Sequence, residues 1–294
     1  MATYAVHLPK RRANPNRPSA FTVNRDSWQA SYRRWFVAGN GGLHDVSRGI
    51  LAPVTISGTP ASSSLYAGSS FGLVARTENN GSSTIQRCFT SPSPCPLDGL
   101  TALTISYWVR PLTFAGYVGA FWGQGTGNSC FLETDRPAGT TGPYWRGGSD
   151  LRNAFTEVLT ANEWQLATWT ANATSTTYYR NGVLAQTSAN GCGTITAAGA
   201  GESFYLGGQP SGTGASTIAI DAEFADFRVY PFLASAAQVW ELYDPSTRWD
   251  LYWVPGRRVF FDVGAAFDAA LFPYPHVDDF ARRPDAMIPS GRIA

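Results

Sequence analysis

The sequence predicts an all-β sandwich that closes with one short helix, and three stretches carry that prediction. Leu103, Ile105, Tyr107 and Val109 alternate with Thr104, Ser106, Trp108 and Arg110. A period of two marks a half-buried strand, here with the first set facing inward. Asn181-Gly182 separates two β-prone runs, and this pair favours a tight hairpin turn in which both central residues take positive φ. Asp226-Phe227-Arg228-Val229-Tyr230 reads as a last strand, followed by Val239, Leu242 and Tyr243 at helical spacing.

The remaining elements follow in order. Thirty Gly, 19 Pro and an aromatic content of 14% in 294 residues suit a turn-rich β protein. That length holds one large β domain with extensions, or two small domains. Residues 1–23 are polar and Pro-containing and read as an extended arm. Trp35-Phe36-Val37 then Gly39-Asn40-Gly41-Gly42 is a strand entering a Gly turn. Val54 to Ile56 and Phe71 to Ala75 are further strand candidates. Tyr117 to Trp122, Cys130 to Leu132, Trp164 to Thr170, Thr176 to Arg180 and Phe204 to Leu206 complete the set before the last strand. In that last strand Ile218, Ile220, Ala222 and Phe224 share one parity, whereas Phe227 and Val229 share the other. The inward face must therefore switch near Ala225, which predicts a bulge there. Ser235 is placed to cap the helix, and Asp244-Pro245 to end it. The tail from Ala265 to Ala294 shows little periodicity and reads as a second arm.

Composition excludes several function classes. Net charge is +1, so the chain carries no electrostatic footprint for nucleic acid or an anionic membrane. The Arg pairs at 11–12, 33–34, 257–258 and 282–283 read as surface or interface ion pairs. The N-terminus lacks the apolar run of a secretory signal, and no stretch nears the ~18 apolar residues that span a bilayer. Synthesis in a cytosol without a membrane step is the expectation. Cys88, Cys95, Cys130 and Cys192 form no C-x-x-C pair, and His7, His44 and His276 are scattered; no metal is expected. Cys88 and Cys95 bracket a short loop, and Cys130 and Cys192 sit where strands could bring them together. Small buried thiols are the reading for a reducing compartment. Phosphate-loop, dinucleotide and serine-nucleophile patterns are absent, so no cofactor is expected.

From about Thr101 to Asp244 the chain resembles the laminin-G-like, or concanavalin A-like, jelly roll. The matching pieces are Ile105-Ser106-Tyr107-Trp108-Val109-Arg110, Asn162-Glu163-Trp164-Gln165-Leu166-Ala167, Tyr179-Arg180-Asn181-Gly182-Val183-Leu184, Phe204-Tyr205-Leu206-Gly207-Gly208 and Ala225-Asp226-Phe227-Arg228-Val229-Tyr230 with its helix. The resemblance covers roughly half of the chain. It implies an all-β concanavalin A-like sandwich over residues 24–262, flanked by arms at 1–23 and 263–294. The ending Leu242-Tyr243-Asp244-Pro245-Ser246-Thr247-Arg248-Trp249-Asp250-Leu251-Tyr252, with Arg257-Arg258-Val259-Phe260-Phe261-Asp262, is similar to the ends of such domains in tailed-bacteriophage virion proteins.

This fold serves lectins, hydrolases and structural modules, so function rests on sites. Retaining glycosidases of the fold carry two carboxylates on one strand face about 5–5.5 Å apart. Glu133-Thr134-Asp135 resembles the start of that pattern, but its third carboxylate position is Ala138 and Pro137 interrupts the strand. A non-enzymatic protein is the expectation. A sugar site needs an aromatic platform beside polar groups; Tyr144, Trp145 and Arg146 in a Gly-rich loop, with Asp150 and Arg152 nearby, are the candidates, and a subunit contact is the competing role for these aromatics. Asp135, Asp150 and Glu157 lie in loops where related domains hold calcium, without an oxygen-rich run at ligand spacing.

Polar terminal arms bury too little to order themselves. Contacts with neighbouring subunits are the expected support, with wrapping of their own domain as the alternative. Arg11, Arg12, Trp249, Tyr252, Trp253, Arg257 and Arg258 are candidates for contacts joining domain to arm, against ordinary closure of the core. The resulting expectation is a structural protein of a tailed-phage virion, made in the host cytoplasm. A capsid decoration protein that partners other virion proteins and forms a homo-oligomer comes first. A carbohydrate-binding adhesin or a tail or fibre component is the alternative.

Overall fold

The structure, a computed structural model, describes residues 3–7, 11–12, 22–39, 42–45, 52–53, 55–57, 66–69, 72–79, 86–91, 97, 99–113, 119–123, 130–133, 142–146, 150–152, 155, 159–195, 204–207, 220–254 and 258–262. In chain order the strands begin with β1 (Thr3–His7), β2 (Arg11–Arg12), β3 (Thr22–Val23), β4 (Arg34–Gly39), β5 (Gly42–Asp45), β6 (Ala52–Pro53), β7 (Thr55–Ser57), β8 (Tyr66–Ser69), β9 (Gly72–Asn79) and β10 (Gln86–Ser91). They continue as β11 (Leu103–Thr113), β12 (Gly119–Gly123), β13 (Cys130–Glu133), β14 (Gly142–Arg146), β15 (Asp150–Arg152), β16 (Gln165–Ala171), β17 (Thr176–Arg180), β18 (Val183–Ser188), β19 (Phe204–Leu206) and β20 (Asp221–Tyr230). Helix α1 (Ala236–Tyr243), β21 (Tyr252–Val254) and β22 (Arg258–Asp262) complete the chain.

The pairing is antiparallel throughout and builds the two sheets of a sandwich, besides two small sheets, β1-β22 and β2-β21-β3. The back sheet runs β6-β5-β4-β20-β11-β16-β17-β18, with the β8-β9 hairpin also against β20. The front sheet runs β7-β10-β19-β12-β13-β14-β15. Pairing of β9 with β10 joins them along one side. Between the sheets lies one apolar core. Leu103, Ile105, Tyr107 and Val109 of β11 face it as their alternation predicts, opposite Ala167, Trp169 and Ala171 of β16. Trp169 stacks on Tyr178 with ring centroids 4.2 Å apart, and Tyr107 stacks on Phe227.

The parity switch in β20 is resolved by a bulge at the predicted place. Ser106 pairs with Arg228 while Trp108 pairs with Ala225, so two residues of β20 oppose Tyr107 alone. Asp226 takes φ 51°, a left-handed conformation that Asp tolerates better than most residues. Ala222 and Phe224 before the bulge, and Phe227 and Val229 after it, thereby all reach the core.

The half-buried character expected of the back sheet is corrected by the structure. Thr104, Ser106 and Trp108, on the face away from the core, are as buried as their inward neighbours. Three segments cover that face. Helix α1 lays Leu242 and Tyr243 over Trp108, Ala225 and Leu166. The stretch from Asn24 to Tyr32 brings Trp28 against Tyr230 and Phe232. The turn after the helix adds Arg248 over the rings of Trp108 and Trp249, and Leu251 beside Trp35. Small polar residues in this layer find partners: Thr104 donates to the Phe232 carbonyl and accepts from the Ala234 amide, both at 2.8 Å.

Local signals hold the cover in place. Ser235 and Gln238 form a capping box at the start of α1, which satisfies amides left over at a helix N-terminus. Asn181 and Gly182 have φ 52° and 79°, the two positive angles of the expected turn. A Cβ on Gly182 would lie 2.9 Å from Tyr243 Cβ and 3.0 Å from the Trp240 ring. Glycine at that position therefore both closes the β17–β18 hairpin and lets α1 pack on it.

At the centre of the covered face is a buried ion pair. Arg228 and Asp226 are 2% and 6% exposed. Arg228 Nε donates to Asp226 Oδ1 at 2.9 Å and its Nη2 reaches the other carboxylate oxygen. Trp35 Nε1 donates to the same Oδ1 at 2.9 Å, and Arg228 Nη1 donates to Gln29 Oε1 at 2.6 Å. Gln29 in turn donates to the Thr247 carbonyl. The network thus ties the segment before β4 and the turn after α1 to the bulge in β20.

Two outcomes follow from this layer. Asp226→Asn keeps a residue that tolerates left-handed backbone but leaves Arg228 buried without its counter-charge, so urea denaturation should show a loss of ~3–5 kcal/mol; a loss below ~1 kcal/mol would contradict the network's role. Burial pushes the Tyr230 phenol up to about 12, with Arg228 partly opposing, and raises that of Tyr107 as well. The unfolded phenols lose their protons first, so stability should fall as pH rises from ~10 toward the folded value. Urea midpoints that stay level across that window would contradict it.

Candidate functional site

The front sheet places aromatic residues at aligned register positions, and their face follows from one buried anchor. Leu206 of β19 is 3% exposed and belongs to the core. Its register partners Phe89 and Phe121 share its face, as do Ile56 next to Phe89 and Leu132 and Pro143 beyond Phe121. Successive strand positions alternate between faces. The neighbouring register row therefore lies on the face opposite the core. It reads Thr55, Thr90, Tyr205, Trp122, Phe131, Tyr144, Arg152, one residue from each of seven adjacent strands. Four consecutive strands place an aromatic residue in it. The one register shift in these strands falls between Gly119 and Phe121, off the row.

Charged positions flank this row on the same face. Arg146, two positions along β14 from Tyr144, pairs in register with Asp150 of β15. Glu133, two positions from Phe131, pairs with Gly142 and Gly119. Among the described front-sheet strands, Glu133 and Asp150 are the carboxylates. Two strand spacings and four residues separate their register positions, roughly 15–17 Å. Paired glycosidase carboxylates work at ~5–9.5 Å. Asp135 and Glu157 lie outside the described residues.

The candidates drawn from sequence are partly regrouped. Tyr144, Trp145 and Arg146 lie in strand β14, not in a loop. Tyr144 and Arg146 share the face opposite the core with Asp150, whereas Trp145 is paired with Cys130 and Leu151 on the core-side register. Adjacent strand residues alternate, so Tyr144 and Trp145 cannot form one platform. Tyr205, Trp122 and Phe131 were missed. Each sits in a short strand beside an apolar neighbour, as in Phe121-Trp122 and Phe131-Leu132, and that adjacency hides which residue faces out.

Of the proposed contacts between domain and arm, Arg11 and Arg12 pair with Val254 and Trp253, and Tyr252 and Trp253 pair with Val23 and Thr22. These contacts are made within one chain. Arg258 pairs with His7 in the β1–β22 ladder; Arg257 lies outside the described residues. Trp249 instead packs with Trp35 and Leu251 in the cover of the back sheet. Cys192 is a buried free thiol, so it forms no bridge to Cys130. Burial pushes it up to about 11. Among the described residues no cluster of metal-ligating side chains occurs, and no helix is long and apolar enough to cross a membrane.

The model of the concanavalin A-like lectin/glucanases superfamily matches residues 83–240. No curated protein matches the sequence. Among solved structures, domain 4 of AbnA, a GH43 extracellular arabinanase from Geobacillus stearothermophilus, in complex with arabinotriose, is 20% identical with a TM-score of 0.54, covering 73% of this chain and 98% of that one. The binding domain of botulinum neurotoxin DC in complex with rat synaptotagmin II is 13% identical with a TM-score of 0.53. The match covers 73% of this chain and 52% of the neurotoxin chain. At these identities the likeness is one of fold.

Proposed function

The chain belongs to the concanavalin A-like lectin/glucanases superfamily, and we propose that it is a non-enzymatic, glycan-binding member borne on a tailed-phage particle. The observation that carries the glycan reading is the register row Tyr205, Trp122, Phe131, Tyr144 on the face of the front sheet away from the core. The C–H face of a sugar ring is apolar and stacks on aromatic rings, while flanking polar groups read its hydroxyls. Arg146, Asp150 and Arg152 on the same face supply such groups. The solved domain bound to arabinotriose is a sugar-binding precedent within this fold.

Loss of the row should abolish recognition without unfolding the protein. On an array of bacterial surface glycans, Trp122→Ala and Tyr144→Ala should each weaken binding ~5- to 100-fold, as the removal of a stacking aromatic does at other sites. Far-UV circular dichroism and the urea midpoint should stay near those of the unaltered protein. Unchanged array binding in both variants would sink this reading.

The virion placement rests on the similarity of residues 242–262 to the ends of phage virion domains. Within one chain β1 pairs with β22, and β2 and β3 with β21; an exchange of these strands between copies would lace subunits together. Capsid decoration is the first location and a tail or fibre the second. Light scattering should find the full chain oligomeric and a chain lacking residues 1–23 and 263–294 monomeric. Two stable monomers would remove the arms from self-assembly.

A further inference from the structure

We propose that the outer face of α1, with the start of β18 beside it, is the acceptor surface for the C-terminal arm of a second copy, which docks there through its apolar run at residues 265–277. This inference rests on the reading of the arms as assembly devices and adds the surface and the segment that meet.

The surface is built from two places in the chain. Among the described residues the exposed large apolar side chains are Val183, Leu184, Leu233 and Trp240, at 43–59%. Isolated apolar residues on a surface are ordinary, whereas a contiguous patch marks an interaction site. Here they gather around α1. A Cβ on Gly182 would lie 3.0 Å from the Trp240 ring, and Val183 and Leu184 follow Gly182 directly in the strand that α1 contacts. Trp240 also lies against Tyr243, with ring centroids 5.6 Å apart. One helical turn earlier stand Ala236 and Ala237, both exposed, and their spacing sets them on the Trp240 side of the helix. Leu233 precedes them, just outside the Ser235 cap.

The patch is uncharged. Neither Val183 to Ser188 nor Leu233 to Trp240 contains Asp, Glu, Lys or Arg, in a chain with 15% charged residues. Charges at its margin are engaged elsewhere: Glu241 accepts from Trp28 Nε1 on the covered side of the helix, and Arg180 donates to Thr160. Such a surface cannot compensate a charged partner for its lost hydration, so it selects an apolar, uncharged one.

The chain carries a segment of that kind. Beyond β22, residues 263–294 lie outside the described residues. Fully extended, they reach on the order of 100 Å, enough to pass to a neighbouring copy. Their first part, residues 265–277, holds Phe267, Leu271, Phe272 and Tyr274, with Asp268 as its one charged residue. The remainder, residues 278–294, carries six charged residues. The first part is therefore the one that suits an uncharged patch. The patch is exposed in the single chain, and assembly through arms supplies its occupant from a neighbour.

The test places the photo-crosslinker benzoylphenylalanine at position 184 of the full chain, with ordinary and heavy-isotope-labelled protein refolded together from urea. After irradiation, mass spectrometry should find residues 265–277 joined to the patch, with light chains joined to heavy ones. Cross-links to residues 265–277 confined to chains of like isotope would put the arm on its own domain and overturn the second copy. Cross-links to another segment, or none between copies while light scattering still shows an oligomer, would overturn the patch and leave arm-mediated assembly standing. Leu184→Ser with Trp240→Ser, and separately Phe267→Ser with Leu271→Ser, should each weaken self-association at least ~10-fold. Both pairs together should cost no more than either alone, since they remove one shared contact. Far-UV circular dichroism should stay unchanged. Self-association within about twofold of the unaltered chain in both pairs would overturn the contact. A full chain that stays monomeric removes the assembly reading, and this inference with it.

Discussion

The rest of the molecule depends on a single strand having to be buried on both faces. Strand β20 crosses the middle of the back sheet, with β11 on one side and β4 and β9 on the other. Its inner residues fill the core before and after the bulge, and its outer residues include Glu223, Asp226 and Arg228, all at 6% exposure or less. Buried charge is tolerated only when it is paired and hydrogen-bonded. Glu223 is met by Arg110, and Arg228 by Asp226 with Gln29 and Trp35 around them. The bulge makes this possible. It turns the apolar parity inward twice and sets Asp226 beside Arg228 on the outside.

That requirement assigns different work to the two sheets. The outer layer of the back sheet is supplied by the chain itself, from residues 24–32, from α1 and from the turn that follows it. A face closed by the protein's own helix and aromatic rings is a structural face. The front sheet carries its aromatic residues in a different pattern, as one register row beside the row that contains the buried Leu206. A sandwich core needs one such row, and the second one, on the opposite face, is what the proposed glycan binding rests on. Strand pairing is what aligns it, since the four residues lie far apart in sequence.

Much of the fold was legible because local rules and the tertiary answer agree. The alternation through Leu103 to Val109, the parity change at Ala225, the Asn181-Gly182 turn and the Ser235 cap each depend on neighbours a few residues away. The cover of the back sheet was not legible. Thr104, Ser106 and Thr168 look like solvent-facing residues, and the partners that bury this face come from far along the chain, as Gln29 does for Arg228. The site was half legible. Tyr144, Arg146 and Asp150 stood out by residue type, but Trp145 was grouped with them by adjacency, which in a strand means the opposite face. Trp122, Phe131 and Tyr205 sit in short runs beside other apolar residues, so only register tells the two faces of the sheet apart.

The most direct test of this division of labour is a crystal structure of the full chain with a bound oligosaccharide identified by array screening. Sugar rings stacked along Tyr205, Trp122, Phe131 and Tyr144, with the chain running across the strands, are the predicted result. Sugar bound at the α1 side of the back sheet or only at the loops between strands, with the aromatic row unoccupied, would contradict it.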